Sequence, residues 1–170
     1  MELPEKIKSL VSEHIKNYGL PTVIEKPIEK GDIRMVRSET SRHHVAIHKV
    51  FESSHGTFMT GMLCHPFLEM ADASDAIFLA GELTAYPLVV QACMYVTIWE
   101  SQIEECVAML ESPEIANKIA GLIWGEEDYG LLTGTSIVNQ SDSRWVFKES
   151  QAVDAQTLSS NYLSTIPAPA

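Results

Sequence analysis

A chain of 170 residues, 45% of them hydrophobic, suffices for one domain that buries roughly two-thirds of its unfolded surface without disulfide or metal staples. The start Met1-Glu2-Leu3-Pro4-Glu5-Lys6 carries charges where a leader would need its apolar stretch, so none is expected, and no run approaches the ~18 apolar residues of a membrane span. Cys64, Cys93 and Cys106 are odd in number, scattered and set in apolar surroundings, the pattern of reduced core thiols in a soluble, cytoplasmic protein.

Pro4 followed by Ile7, Leu10, Val11, Ile15 and Tyr18 has helical spacing, and Gly19 with Pro21 predicts its end. A Pro-bearing connector runs to Pro27, and Gly31 opens a predicted strand over Asp32 to Arg37. Val45, Ile47 and Lys49 alternate with Ala46, His48 and Val50 in a second strand. Thr57 to Cys64 reads as a third, with His55-Gly56 as the turn.

The strongest β signal is Tyr86 to Trp99. Leu88, Val90, Ala92, Met94, Val96 and Ile98 are apolar and two apart, which predicts a core face, opposite a mixed face of Val89, Gln91, Cys93, Tyr95, Thr97 and Trp99. Ser101 with Glu104 then reads as the capping box of a helix burying Ile103, Cys106, Val107 and Leu110. A further helix starts at Ser112-Pro113-Glu114 and runs to about Trp124, ended by the acidic turn Glu126-Glu127-Asp128. Leu131 to Val138 and Arg144 to Lys148 read either as two strands joined by a polar loop or as loop. Val153, Leu158, Tyr162 and Leu163 lie in a moderately helical stretch, and Pro167 to Ala170 is expected to be a disordered tail.

This order predicts a single α+β domain over 1–166. It comprises an N-terminal helix (1–20), a barrel-like core (28–111) and a helical or mixed C-terminal part (112–166). Residues 31–99 are expected to hold at least four strands of one small, strongly bent antiparallel sheet or SH3-like barrel.

The net charge of −11 is unevenly distributed. Residues 1–49 hold nine of the 12 Lys and Arg against seven acids, so the remainder carries three bases against sixteen acids. No Lys or Arg lies between Lys49 and Lys118, so a phosphate-handling site must draw its cations mainly from the first third.

Lys30-Gly31-Asp32-Ile33 opening a strand, then a polar loop with Arg42 before an apolar strand, resembles the opening of the PemK/MazF family of toxin endoribonucleases. Asp75 to Gln91, continuing through Trp99, Ser101 and Gln102, is similar to that family's final strands and short helix, so the resemblance covers about residues 28–111. It implies an SH3-like barrel, a two-fold homodimer, metal-independent RNA cleavage, an antitoxin partner, and a catalytic role for Arg42. Two departures stand beside it. Arg42 is followed by His43 and His44 where the family has proline, and Cys64-His65 stands where the family places Ser or Thr. Fold similarity with altered or lost activity is therefore an open expectation.

Metal-free RNA cleavage needs a base, an acid and a cation at the phosphate. Arg34, Arg37, Arg42, His43, His44 and His48 place such groups within fifteen residues. Arg42, His44 and Arg34 are the catalytic candidates; Arg37, His43, His48 and His65 are the phosphate or RNA-binding ones. In a strand, His44 and His48 share one side and His43 the other. His44 and His48 lack a third ligand at metal spacing, so neither metal nor cofactor is expected. Cys64-His65 does not read as a catalytic thiol pair, because adjacent strand residues point to opposite faces.

The alternative is a non-catalytic acidic interaction protein, of the immunity, antitoxin-like or phage-related kind, that docks a basic partner by charge complementarity. Tyr95 and Trp99 on the mixed face favour burial at a contact, as in a homodimer. Convergence of Arg34, Arg37 and Arg42 in a concave site distinguishes the two readings, since a catalytic phosphate pocket demands it.

Overall fold

A computed structural model describes residues 5–18, 22–125 and 130–165. Helix α1 (Glu5–Tyr18) precedes strands β1 (Asp32–Arg37), β2 (Arg42–Ser53), β3 (Gly56–His65), β4 (Asp75–Phe78), β5 (Leu88–Trp99) and β6 (Ile103–Met109). Helices α2 (Pro113–Gly121) and α3 (Ser143–Thr165) follow. The Gly19/Pro21 stop, the 126–128 turn and the 167–170 tail fall outside the described residues. No helix among the described residues is long and apolar enough to cross a membrane.

The strands form one antiparallel sheet in the order β4-β5-β3-β2-β1-β6, so the fold is α+β as expected. β5 and β6 stand four strand spacings apart in that order, about 19 Å if the sheet were flat. Only the 3-10 turn Glu100–Gln102 joins them, and three residues at about 2 Å each cannot span that gap. The sheet must therefore curl, bringing the start of β6 back toward the end of β5.

Register shifts accomplish the bend. Between Ile47 and Lys49, β2 carries one extra residue, His48, against β3. Between the pairs Met62↔Tyr95 and Cys64↔Val90, β3 advances two residues while β5 advances five. An odd offset exchanges the two faces of a strand. Leu88, Val90 and Ala92 accordingly pack with Ala46, Met62 and Ile119 of α2. Val96 and Ile98 instead join Val45, Ile47, Leu63 and Leu158 of α3. The apolar set of β5 is buried as expected, apart from the half-buried Met94, but it serves two cores rather than one. Gln91 is also fully buried, on the face read as mixed.

Three expectations need correction. Residues 103–109 are a strand, not a helix, because Cys106 gains neighbours on both sides, Arg34 of β1 and Ile24 of the connector. Gln102, rather than the Ser101/Glu104 pair, closes the preceding turn, its Oε1 accepting from Trp99 N at 3.0 Å. Arg144 to Lys148 begin α3, capped where Asp142 Oδ1 accepts from Arg144 N at 3.0 Å. Residues 131–138 form no strand of the sheet and pair with it through the isolated bridge Thr133↔Ala76. Cys64 and Cys106 are buried free thiols, whereas Cys93 is exposed.

The β2 bulge brings two backbones together at Gly61, where an added Cβ would lie 2.5 Å from Ala46 O and 2.6 Å from Val45 Cγ1. Neither a ladder carbonyl nor a core valine can yield freely. Gly61→Ala should lower unfolding stability by about 1–3 kcal/mol, read from the urea midpoint; an unchanged midpoint would contradict this account of the bend.

Candidate functional site

The curled sheet brings the β1–β2 hairpin, the 3-10 turn and the C-terminal half of α3 around one cleft of about 490 Å³. Arg37 and Arg42 are the cross-strand pair that closes the hairpin's loop. Both reach one carboxylate: Arg42 Nε lies 3.3 Å from Glu104 Oε2 and Arg37 Nε 3.6 Å from Oε1. The loop between them is tied to itself, with Ser38 N donating to Ser41 O at 2.8 Å and Ser41 N to Ser38 Oγ at 3.1 Å.

Across the cleft α3 presents Thr157, Ser160 and Ser164. Their hydroxyls donate back to the carbonyls of Val153, Thr157 and Asn161 at 2.9, 2.7 and 3.1 Å. With its hydrogen committed, each oxygen offers only lone pairs outward. That wall selects for donors.

Arg34 is 5% exposed and faces inward. Its guanidinium meets Asp32 Oδ2 at 2.9 Å and donates to the carbonyls of Lys26 and Pro27 at 2.9 and 3.0 Å, and of Glu104 at 3.3 Å. Asp32 also takes the Lys26 ammonium. Arg34 thus stitches the connector and β6 onto β1, while Arg37 and Arg42 sit outside: the three arginines do not converge.

The histidines are divided as strand alternation requires. His43 Nε2 lies 2.8 Å from Ser41 Oγ; burial lowers its pKa, partly offset by Asp154 of α3. His44 Nε2 meets Tyr86 Oη at 3.2 Å. His48 is held at both nitrogens, by Tyr95 Oη at 2.5 Å and Asn117 Oδ1 at 2.9 Å, and burial lowers its pKa. Asn117 Nδ2 donates to Glu114 at 2.9 Å, which turns its oxygen toward His48 and makes Nε2 the donor. Tyr95 Oη therefore donates to Nδ1 of the neutral ring and accepts from Thr60 Oγ1 at 2.8 Å. His65 lies buried beneath α3, its Nδ1 accepting from Phe67 N at 3.1 Å, and burial holds its pKa well below the ordinary value.

A polar seam under α3 was missed by sequence reasoning. The Lys148 ammonium contacts Asp75, lies 3.7 Å from Asp72 and donates to Gln91 Oε1 at 3.2 Å. Gln91 Nε2 donates to Gln151 Oε1 at 2.8 Å. Arg144 is similarly internal, bonded to Asp142 and to the carbonyls of Ala71 and Thr135, each at 2.8 Å. No family model, curated protein or solved structure matches this chain.

Burial pushes the Asp75 carboxyl up to about 6, against the pull of Lys148 and the hydrogen bond from Asp72 N. A carboxyl raised in the folded state binds its proton more tightly there, so its contribution to stability is present at low pH and lost as pH rises. Relative to Asp75→Asn, the wild type should lose on the order of 1–3 kcal/mol between about pH 4 and pH 6. Urea unfolding of both proteins across that range measures the difference; a difference that grows with pH would contradict the assignment.

Proposed function

We propose that this protein is a non-catalytic, acidic interaction module that docks a basic partner. One observation carries the reading: among the described residues, six of the 12 Lys and Arg are turned inward or paired with carboxylates, while Lys16, Lys49 and Lys118 are exposed. Lys26 and Arg34 meet Asp32, Arg37 and Arg42 share Glu104, Arg144 meets Asp142, and Lys148 meets Asp75 and Asp72. Glu39, Glu52, Glu69, Glu100, Glu105 and Glu111 remain exposed. The charge asymmetry of the sequence becomes a surface dominated by carboxylates, which attracts cationic chains and repels polyanions.

The endoribonuclease reading needs a guanidinium, a base and an acid facing one phosphate. Arg42 has Glu104 in front of it, Arg34 is enclosed, and His43 and His44 project to opposite sides of β2. The implied catalytic set is dispersed, so the acidic module has the better geometric support.

Fluorescence anisotropy should show the purified protein binding a labelled Arg-Ser repeat peptide, with affinity that falls as salt rises. A long unstructured RNA should neither bind nor be cut, with EDTA or with magnesium present. RNA cleavage abolished by Arg42→Ala would overturn the proposal in favour of the nuclease.

A further inference from the structure

The cleft between the β1–β2 hairpin, the 3-10 turn and α3 has the size of a small-molecule site, at about 490 Å³. Its lining differs from that of most such sites. All ten residues on it are polar, and only Arg37 and Glu39, of opposite sign, carry charge. With the adjacent Arg42 and Glu104 included, two guanidiniums stand against two carboxylates. An apolar ligand would find no hydrocarbon side chain to bury against, and a strongly charged one would gain little from a cleft whose charges cancel.

The walls are held together before any ligand arrives. Gln102, 5% exposed, sits at their junction. Its Nε2 donates to Leu158 O of α3 at 3.2 Å and to Arg37 O of β1 at 3.5 Å, while Oε1 accepts from Trp99 N at 3.0 Å. One amide thus joins all three elements that surround the space, so little ordering is left for binding to supply.

Donors and acceptors occupy different walls. Thr157, Ser160 and Ser164, at i, i+3 and i+7, share one face of α3 over about 10 Å of axis. Their hydrogens are committed to helix carbonyls, so this wall presents acceptors. On the hairpin side Arg37 turns Nε to Glu104 at 3.6 Å, and its two terminal nitrogens have no partner among the described residues. The exposed carboxylate of Glu39 stands on the same side. A matching ligand must donate to the helix and accept from the guanidinium at several points while carrying no net charge. Neighbouring hydroxyls on a ring do both, since each gives one hydrogen and accepts at its lone pairs.

We infer that this cleft binds a neutral saccharide the size of a disaccharide. Its hydroxyls donate to Thr157, Ser160 and Ser164 and to Glu39, and accept from the terminal nitrogens of Arg37. The length of the α3 wall corresponds to two linked sugar rings. A free amino acid would satisfy Arg37 and Glu39 but leave the helix wall unanswered, and a phosphate chain would press anionic oxygens against acceptors. The inference goes beyond the acidic-module reading and does not depend on it, because Glu52, Glu69, Glu105 and Glu111 lie outside the cleft.

The test titrates the isotope-labelled full chain with four neutral disaccharides, maltose, cellobiose, lactose and diacetylchitobiose, at millimolar concentration, and follows amide shifts by NMR. At least one should give saturable shifts at Glu39, Thr40, Ser101, Ser160 and Ser164, with a midpoint that salt does not move, because the ligand carries no charge to screen. Ser160→Ala/Ser164→Ala removes two acceptors at exposed helix positions, where alanine favours the helix. Binding should weaken about tenfold in that variant, several-fold in Arg37→Gln and less than about twofold in the exposed control Ser136→Ala. Circular dichroism checks that each variant is folded. No saturable shift with any of the four sugars would overturn the site, as would shifts centred elsewhere or insensitive to the double variant. Tighter, salt-dependent binding of a sulfated disaccharide would overturn the neutral class. Binding of the Arg-Ser peptide without binding of any sugar would remove the saccharide site and leave the acidic module standing; sugar binding without peptide binding would do the reverse.

Discussion

The contact on which much of the architecture turns is the Lys148 ammonium held between Asp75, Asp72 and Gln91 beneath α3. Asp75 lies on the edge strand and Gln91 opposite it on β5, so one cation ties the helix to two strands. Its environment is costly: a buried charge must recover its desolvation through direct partners. The seam continues through Gln151 to Asp154, and it positions the second half of α3, where Ala155 and Leu158 close the inner core. The same helix carries the hydroxyl wall and Tyr162. Replacing Lys148 would leave Asp75 and Asp72 facing each other without a cation and release the element that shapes the cleft.

Enclosing cations in this way has an electrostatic consequence. Each internal pair takes a positive group and its carboxylate partner out of the surface together, so the 23 acids against 12 bases leave carboxylates in excess among the groups that remain outside. Two of the three bases of the last 121 residues, Arg144 and Lys148, are little exposed and ion-paired, and the third, Lys118, is exposed. Interactions across such a surface are long-ranged at low salt and fade within a Debye length of about 10 Å at 0.1 M. Specific docking therefore needs a local anchor in addition to the field.

The β1–β3 meander and α2 were legible because alternation, the His55-Gly56 turn and the Ser112-Pro113 start act locally. β6 was misread because Ile103, Cys106, Val107 and Leu110 also fit a helical period, and only pairing with β1 decides between the two. The start of α3 was obscured by polar residues at positions that face the core: Phe147, Lys148, Gln151, Ala155 and Leu158 are its buried stripe. A lysine and a glutamine there erase the apolar period. Lys148 and Asp75 are 73 residues apart, and nothing local announces such a pair. Arg34 was more accessible to reasoning: Asp32 lies two positions away on the same strand, hence on the same face, which already suggests an internal partner.

The most direct measurement of the central claim is an amide-resolved NMR titration of the intact protein with an Arg-Ser repeat peptide. The account predicts saturable, salt-sensitive shifts at the exposed acids, among them Glu39, Glu52, Glu69, Glu100, Glu105 and Glu111. No shifts on addition of the peptide, or saturable shifts at Arg37 and Arg42 when RNA is added in its place, would contradict it.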